Sequence, residues 1–136
     1  MNVATLKISS TNDQALDSLQ TTLNLIPKAT WKKGDSAPRG SFYQSSGRSF
    51  TIADAASPGE LIKLIRTELT TFRNSTVCFS GAELLTELSV GITVGDSLQF
   101  VASLEFTPTD LSLLAEMGIH LVICAYPTSD EANEKS

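Results

Sequence analysis

A chain of 136 residues, 41% apolar and 18% charged, is long enough for one domain with one core and too short for two. That composition excludes a disordered chain, and a net charge of −5 argues against a generic grip on DNA or RNA. No apolar run reaches the roughly 18 residues of a membrane span, and "MNVATLKISS" lacks the basic-then-apolar order of a signal peptide. A cytoplasmic protein is expected, without a membrane or direct nucleic-acid partner. Two cysteines, Cys78 and Cys124, fit free thiols in a reducing compartment.

Residues 3–8 alternate, with Ala4, Leu6 and Ile8 on one side, and predict a strand. "SSTND" supplies helix caps, and Leu16, Leu19, Leu23 and Ile26 follow at helical spacing until Pro27. Within residues 28–48, "SFYQSS" predicts one short strand, and "RSFTIA" after Gly47 predicts another. "SPGEL" opens the next helix: Ser57 caps, Pro58 takes the first turn and Glu60 has the capping-box position. Leu61, Leu64, Ile65, Leu69 and Phe72 form its apolar stripe.

"STVCFSGAELL" reads as a linker with a helical turn at residues 82–85. Leu88, Val90, Ile92 and Val94 then alternate, as do Leu98, Phe100, Ala102, Leu104 and Phe106. The short "GDS" between the two runs predicts a hairpin. Thr107, Pro108 and Asp110 start a third helix and Gly118 stops it. "IHLVICAY" is apolar on both faces, which places it centrally in the sheet. The expectation is a single α+β domain over 1–127, with a mainly antiparallel sheet and about three helices packed mostly on one face. Residues 128–136 are a flexible polar tail.

Candidate chemistry is sparse. His120, the only histidine, lies inside an apolar strand with no partner at a catalytic spacing, and two scattered cysteines with it make no metal set. No cofactor or metal is expected, and no catalytic residue is assigned. "KKGDS" lacks the earlier glycine and following helix of a phosphate loop. Charge is split along the chain: residues 28–48 carry a net +4, residues 1–27 a net −1 and residues 49–136 a net −8. Trp31 sits in the basic segment, where the bland role is to pack over the end of the first helix while "KGD" turns the chain. The functional role is an exposed binding anchor.

"WKKGD" (Trp31, Lys32, Lys33, Gly34, Asp35) after a first strand and helix, together with the ending "LEFTPTDLSLLAEMGIHLVICAY", resembles a bacterial family of small α+β proteins catalogued as a domain of unknown function. Its members have a Trp-x-Lys-Gly-Asp motif and close on an apolar strand ending in Tyr. Ala125 stands where they often carry an acid. Some proteins of this kind look like immunity partners of bacterial toxins. The resemblance implies a fold more than a function; taken with the small single domain, the acidic balance and the missing catalytic set, it leads to the expectation of a non-enzymatic protein that occludes a cognate toxin, such as a nuclease. The acidic side chains Glu83, Glu87, Asp96 and Glu105 are the candidate toxin contacts. The alternative is a small-ligand or regulatory module whose basic patch is Trp31, Lys32, Lys33, Arg39 and Arg48. Oligomeric state is left open.

Overall fold

Strand β1 (Asn2–Ser10) buries Ala4, Leu6 and Ile8 on one side and turns Val3, Thr5 and Lys7 to the other, in a computed structural model that describes residues 1–75, 79, 81 and 83–128. Helix α1 (Asp13–Leu23) begins where Asn12 Oδ1 accepts the Ala15 N–H at 3.3 Å. It ends at Asn24, whose φ of 54° is left-handed and whose N–H donates to the Gln20 carbonyl. The helix therefore closes before Pro27 is reached, and Ile26, expected on its apolar stripe, is exposed.

Strand β2 (Ala29–Trp31) is three residues long, and β3 (Ser46–Asp54) begins ahead of the predicted "RSFTIA". "SFYQSS" is not a strand: Phe42 makes only an isolated bridge to Ser36. Helix α2 (Pro58–Asn74) starts as predicted, with Ser57 Oγ accepting the Glu60 N–H at 3.2 Å. Leu61, Ile62, Ile65, Leu69 and Phe72 are buried, so Ile62 takes the place expected of Leu64, which is exposed. Burying each such side chain stabilises the fold by about 1.5–3 kcal/mol.

Strand β4 (Leu84–Val94) starts where a helical turn was predicted at residues 82–85; Ala82 itself, like Cys78, lies outside the described residues. Helix α3 (Pro108–Met117) has the reciprocal Thr107–Asp110 capping box and ends at Gly118 with φ 71°. Strand β5 (Ile119–Pro127) is followed by one more described residue; of the predicted tail over 128–136, Thr128 is bonded to the Val94 carbonyl and the rest lies outside the described residues.

The strands form one sheet in the order β2-β3-β1-β4-β5. The class is α+β, but the sheet is mixed. β2–β3, β3–β1 and β1–β4 pair antiparallel, while β4 and β5 pair parallel through α3. Two expectations fall with that topology. Residues 98–106 form no strand and no hairpin, because both edges of β4 are already taken by β1 and β5. Ala102, Leu104 and Phe106 instead pack against the core from an irregular segment. β5, expected at the sheet centre, is an edge strand. One buried cluster joins Leu6 and Ile8 of β1 and Leu88 and Val90 of β4 to Leu16, Leu19, Leu61, Ile65, Leu113 and Met117 from the helices.

A carboxylate ties α3 to α2. Asp110 is 3% exposed; its two oxygens accept the Arg66 Nε–H at 2.9 and 3.0 Å, and Oδ2 also accepts the Thr107 N–H at 2.9 Å. Burial alone would raise its pKa. The hydrogen bonds from Arg66 and Thr107 and the guanidinium charge outweigh burial and hold it below the ordinary carboxylate value.

Candidate functional site

The basic segment folds back on itself as an arm beyond β2. Asp35 Oδ2 accepts the Lys32 N–H at 2.9 Å, and the Asp35 N–H donates to the Lys32 carbonyl at 3.0 Å. Gly34 sits in this turn with φ 92°, a conformation that glycine adopts without strain. The returning chain pairs with it: Gly34 N–H donates to Tyr43 O at 2.9 Å, Tyr43 N–H to Asp35 O at 3.0 Å, and Ala37 N–H to Ser41 O at 2.8 Å. The Lys33 N–H is satisfied by Ser46 Oγ at 3.0 Å.

Trp31 anchors the arm. Its ring stacks on Tyr43 with centroids 5.3 Å apart and planes inclined by 25°. It also lies over Gly47, its register partner on β3, where an added Cβ would fall 2.1 Å from the indole. The tryptophan thus packs on the sheet, where the expectation was the end of α1. Tyr43 and Gly47 are its partners, and periodicity gave no signal for either.

The five predicted basic-patch residues are not held in one cluster. Trp31 is half-buried in that stack. Arg48 is drawn to α1, with Nη2 2.9 Å from Asp17 Oδ1 and Nε donating to Gln20 Oε1 at 3.1 Å. Lys32, Lys33 and Arg39 remain exposed on the arm, Arg39 with a left-handed φ of 67°.

The four predicted acidic contacts are also dispersed. Glu83 precedes β4 and Asp96 follows it, so the eleven residues of that strand, about 3.3 Å each, separate them. Asp96 Oδ1 is occupied as an acceptor for the Leu98 and Gln99 N–H groups. Glu105 lines an open depression with Gly59, Ile62, Lys63, Arg66 and Ser103. Glu87 alone lies in the sheet interior, on the face turned away from the core cluster.

Strand register defines that face. Lys7 is paired with Glu87, and Glu87 with His120, so cation, carboxylate and imidazole form one cross-strand row. The next row holds Thr5, Ser89 and Val122, and the one after it Val3, Gly91 and Cys124. A depression of about 410 Å³ opens here, lined by Met1, Val3, Thr5, Lys7, Lys28, Ser89, Gly91 and Tyr126. Gly91 forms its floor: a Cβ there would stand 3.3 Å from Met1 Cε and 3.4 Å from the Tyr126 ring. Lys7, Lys28 and Tyr126 come from three separate strands or connections, and only the pairing of strands reveals that they meet. No group of three His, Cys, Asp or Glu among the described residues is placed to hold a metal ion. No described helix is long and apolar enough to cross a membrane.

Comparison with protein-family models, with curated proteins and with solved structures finds no match to this chain.

Proposed function

We propose that this chain works by binding, as a cytoplasmic immunity-type protein that covers the active site of a cognate bacterial toxin. The reading rests on the resemblance carried by "WKKGD" and the closing segment. The observation that carries it further is the sheet face turned away from the core. In this proposal the helices occupy the other side, leaving a broad surface of Thr5, Lys7, Glu87, Ser89, Val122 and Tyr126. Its mixture of hydroxyl, charged and apolar side chains suits a protein partner. Glu87 is the acidic side chain best placed to meet a basic toxin surface, and the −5 charge would speed the encounter.

The test begins with the gene immediately upstream. Its product, if toxic, is expressed with and without this chain. Rescue by the wild type, with rescue lost in Glu87→Lys and kept in Lys63→Glu, supports docking on this face. Unrelieved killing, with no complex on co-purification, rules the reading out.

A second reading is favoured by the depression itself, where Lys7 and Lys28 line one cavity with Thr5, Ser89 and Tyr126. That set suits a small anion, and it moves the ligand-module alternative from the arm to the sheet face. Phosphate and citrate should then raise the melting temperature of the wild type and leave Lys7→Ala/Lys28→Ala unmoved.

A further inference from the structure

We infer that β5 is a self-association edge: two copies of the chain pair their β5 strands antiparallel about a two-fold axis, joining their sheets into one. β5 lies at the end of the sheet, and its pairing with β4 runs from Ile119 to Pro127 without a bulge. Backbone N–H and C=O groups pointing away from β4 have no strand partner among the described residues. Protein edges of this length are normally blunted by a charge, a proline or a bulge. β5 has none of these before its last residue.

Its side chains are also apolar where solvent meets them. Val122 is 37%, Ile123 46% and Tyr126 49% exposed. The segment leaving β4 beside the same end of the strand exposes Leu98 at 96%, Phe100 at 74% and Val101 at 78%. It is held there by Thr128 N–H donating to Val94 O at 2.9 Å and by Gly95 N–H donating to Gln99 O at 3.0 Å. Val122 and Tyr126 share one face of the strand and Ile123 lies on the other, so apolar surface is exposed on both sides of the edge.

Charge and register select a second copy as the occupant. Residues 118–128 contain no Asp, Glu, Lys or Arg, so two molecules of charge −5 meet here without a like-charge pair in the ladder. A partner chosen by charge would find nothing on this strand to read. An axis at Ile123 uses the whole strand. It sets Val122 against Cys124, Leu121 against Ala125 and His120 against Tyr126, all compatible neighbours. Pro127, which lacks an N–H, then falls opposite Ile119 at the ladder's end, where no interior bond is lost. A stable interface needs about 800 Å² from each partner. Phe100 at 74% and Tyr126 at 49% exposure contribute only the surface still open to solvent, and Leu98 and Val101 extend that area.

Sedimentation equilibrium of the full chain, from low to high micromolar concentration, tests the inference. The expected result is twice the chain mass for the wild type and a dimer at least about tenfold weaker in Val122→Lys, with circular dichroism unchanged. Hydrogen exchange on the wild type gives a second measurement that needs no variant: protection in β5 should rise with protein concentration. A wild type that stays monomeric throughout, as it would if the edge served a different chain, overturns the inference. So does a dimer indifferent to Val122→Lys, or one that forms without added protection in β5. Val122 also belongs to the sheet face proposed to meet the toxin, so the wild-type measurements, made without a toxin, are what separate failure of this inference from failure of that reading.

Discussion

At one end of the sheet, β2 offers three residues and leads into a folded-back arm with Lys32, Lys33 and Arg39 exposed. At the other end, β5 offers nine residues and no formal charge. Short length and positive charge are usual means of stopping an edge from recruiting another strand. The same chain that blunts one edge in this way leaves the other without a formal charge along its nine residues. The contrast makes the basic segment's first role a local one: it terminates the sheet, with Trp31 as its clamp.

The comparison can be broken most sharply at Gly47. Gly47→Val drives a side chain into the space of the Trp31 ring, and unfolding by urea should show a loss of about 3 kcal/mol, the upper range for overpacking. Trp31→Ala removes the clamp without a clash. Because the ring is half-buried, the cost should be about 2 kcal/mol, below that of a core aromatic. Hydrogen exchange should rise at Gly34 and Tyr43, whose bonds to each other and to Asp35 hold the arm. Unchanged exchange there would show that the arm holds its shape without the indole.

On the β5 side, Asp110→Ala removes both the carboxylate half of the α3 capping box and the acceptor for Arg66, and should cost about 2 kcal/mol. Arg66 is partly exposed and can hydrate, which limits the loss. The pH dependence has a definite sign. Because the folded pKa is depressed, the contribution of Asp110 is present above the unfolded value of about 3.9 and disappears as pH falls through the lower folded value. Urea midpoints measured from neutral pH downwards should therefore fall below about pH 4, and fall less steeply in Asp110→Asn. Arg48→Ala should have the smallest effect, about 1 kcal/mol or less in the same urea assay, since its partner Asp17 is largely solvated.

Local chemistry was legible in the sequence wherever a few adjacent residues decide the outcome. Ser57 with Glu60, and Thr107 with Asp110 and Gly118, mark helix ends because the groups that satisfy those ends lie within one turn. Pairing was not legible. Leu98 to Phe106 alternate like a strand, yet β4 has no free edge to receive them. The apolar faces of β5 read as central because an interior strand and an edge that has lost its partner show the same pattern. The placement of the candidate residues was hidden for a related reason. Glu83 and Asp96 are near in sequence but held apart by an extended strand, whereas Lys7, Lys28 and Tyr126 are distant and brought together by the sheet.

The position of β1 has a consequence for how the molecule comes together in time. Val3 pairs with Asp54 on one side and with Gly91 on the other, so the first of these strands to be synthesised must wait for β3 and then for the still more distant β4. Its apolar side chains must stay unsatisfied while the intervening chain is made. Contacts this remote in sequence close slowly, because the loop entropy is lost before the pairing repays it. Folding should be slow for a domain of this length, and the nascent chain should lean on cellular helpers until β4 emerges.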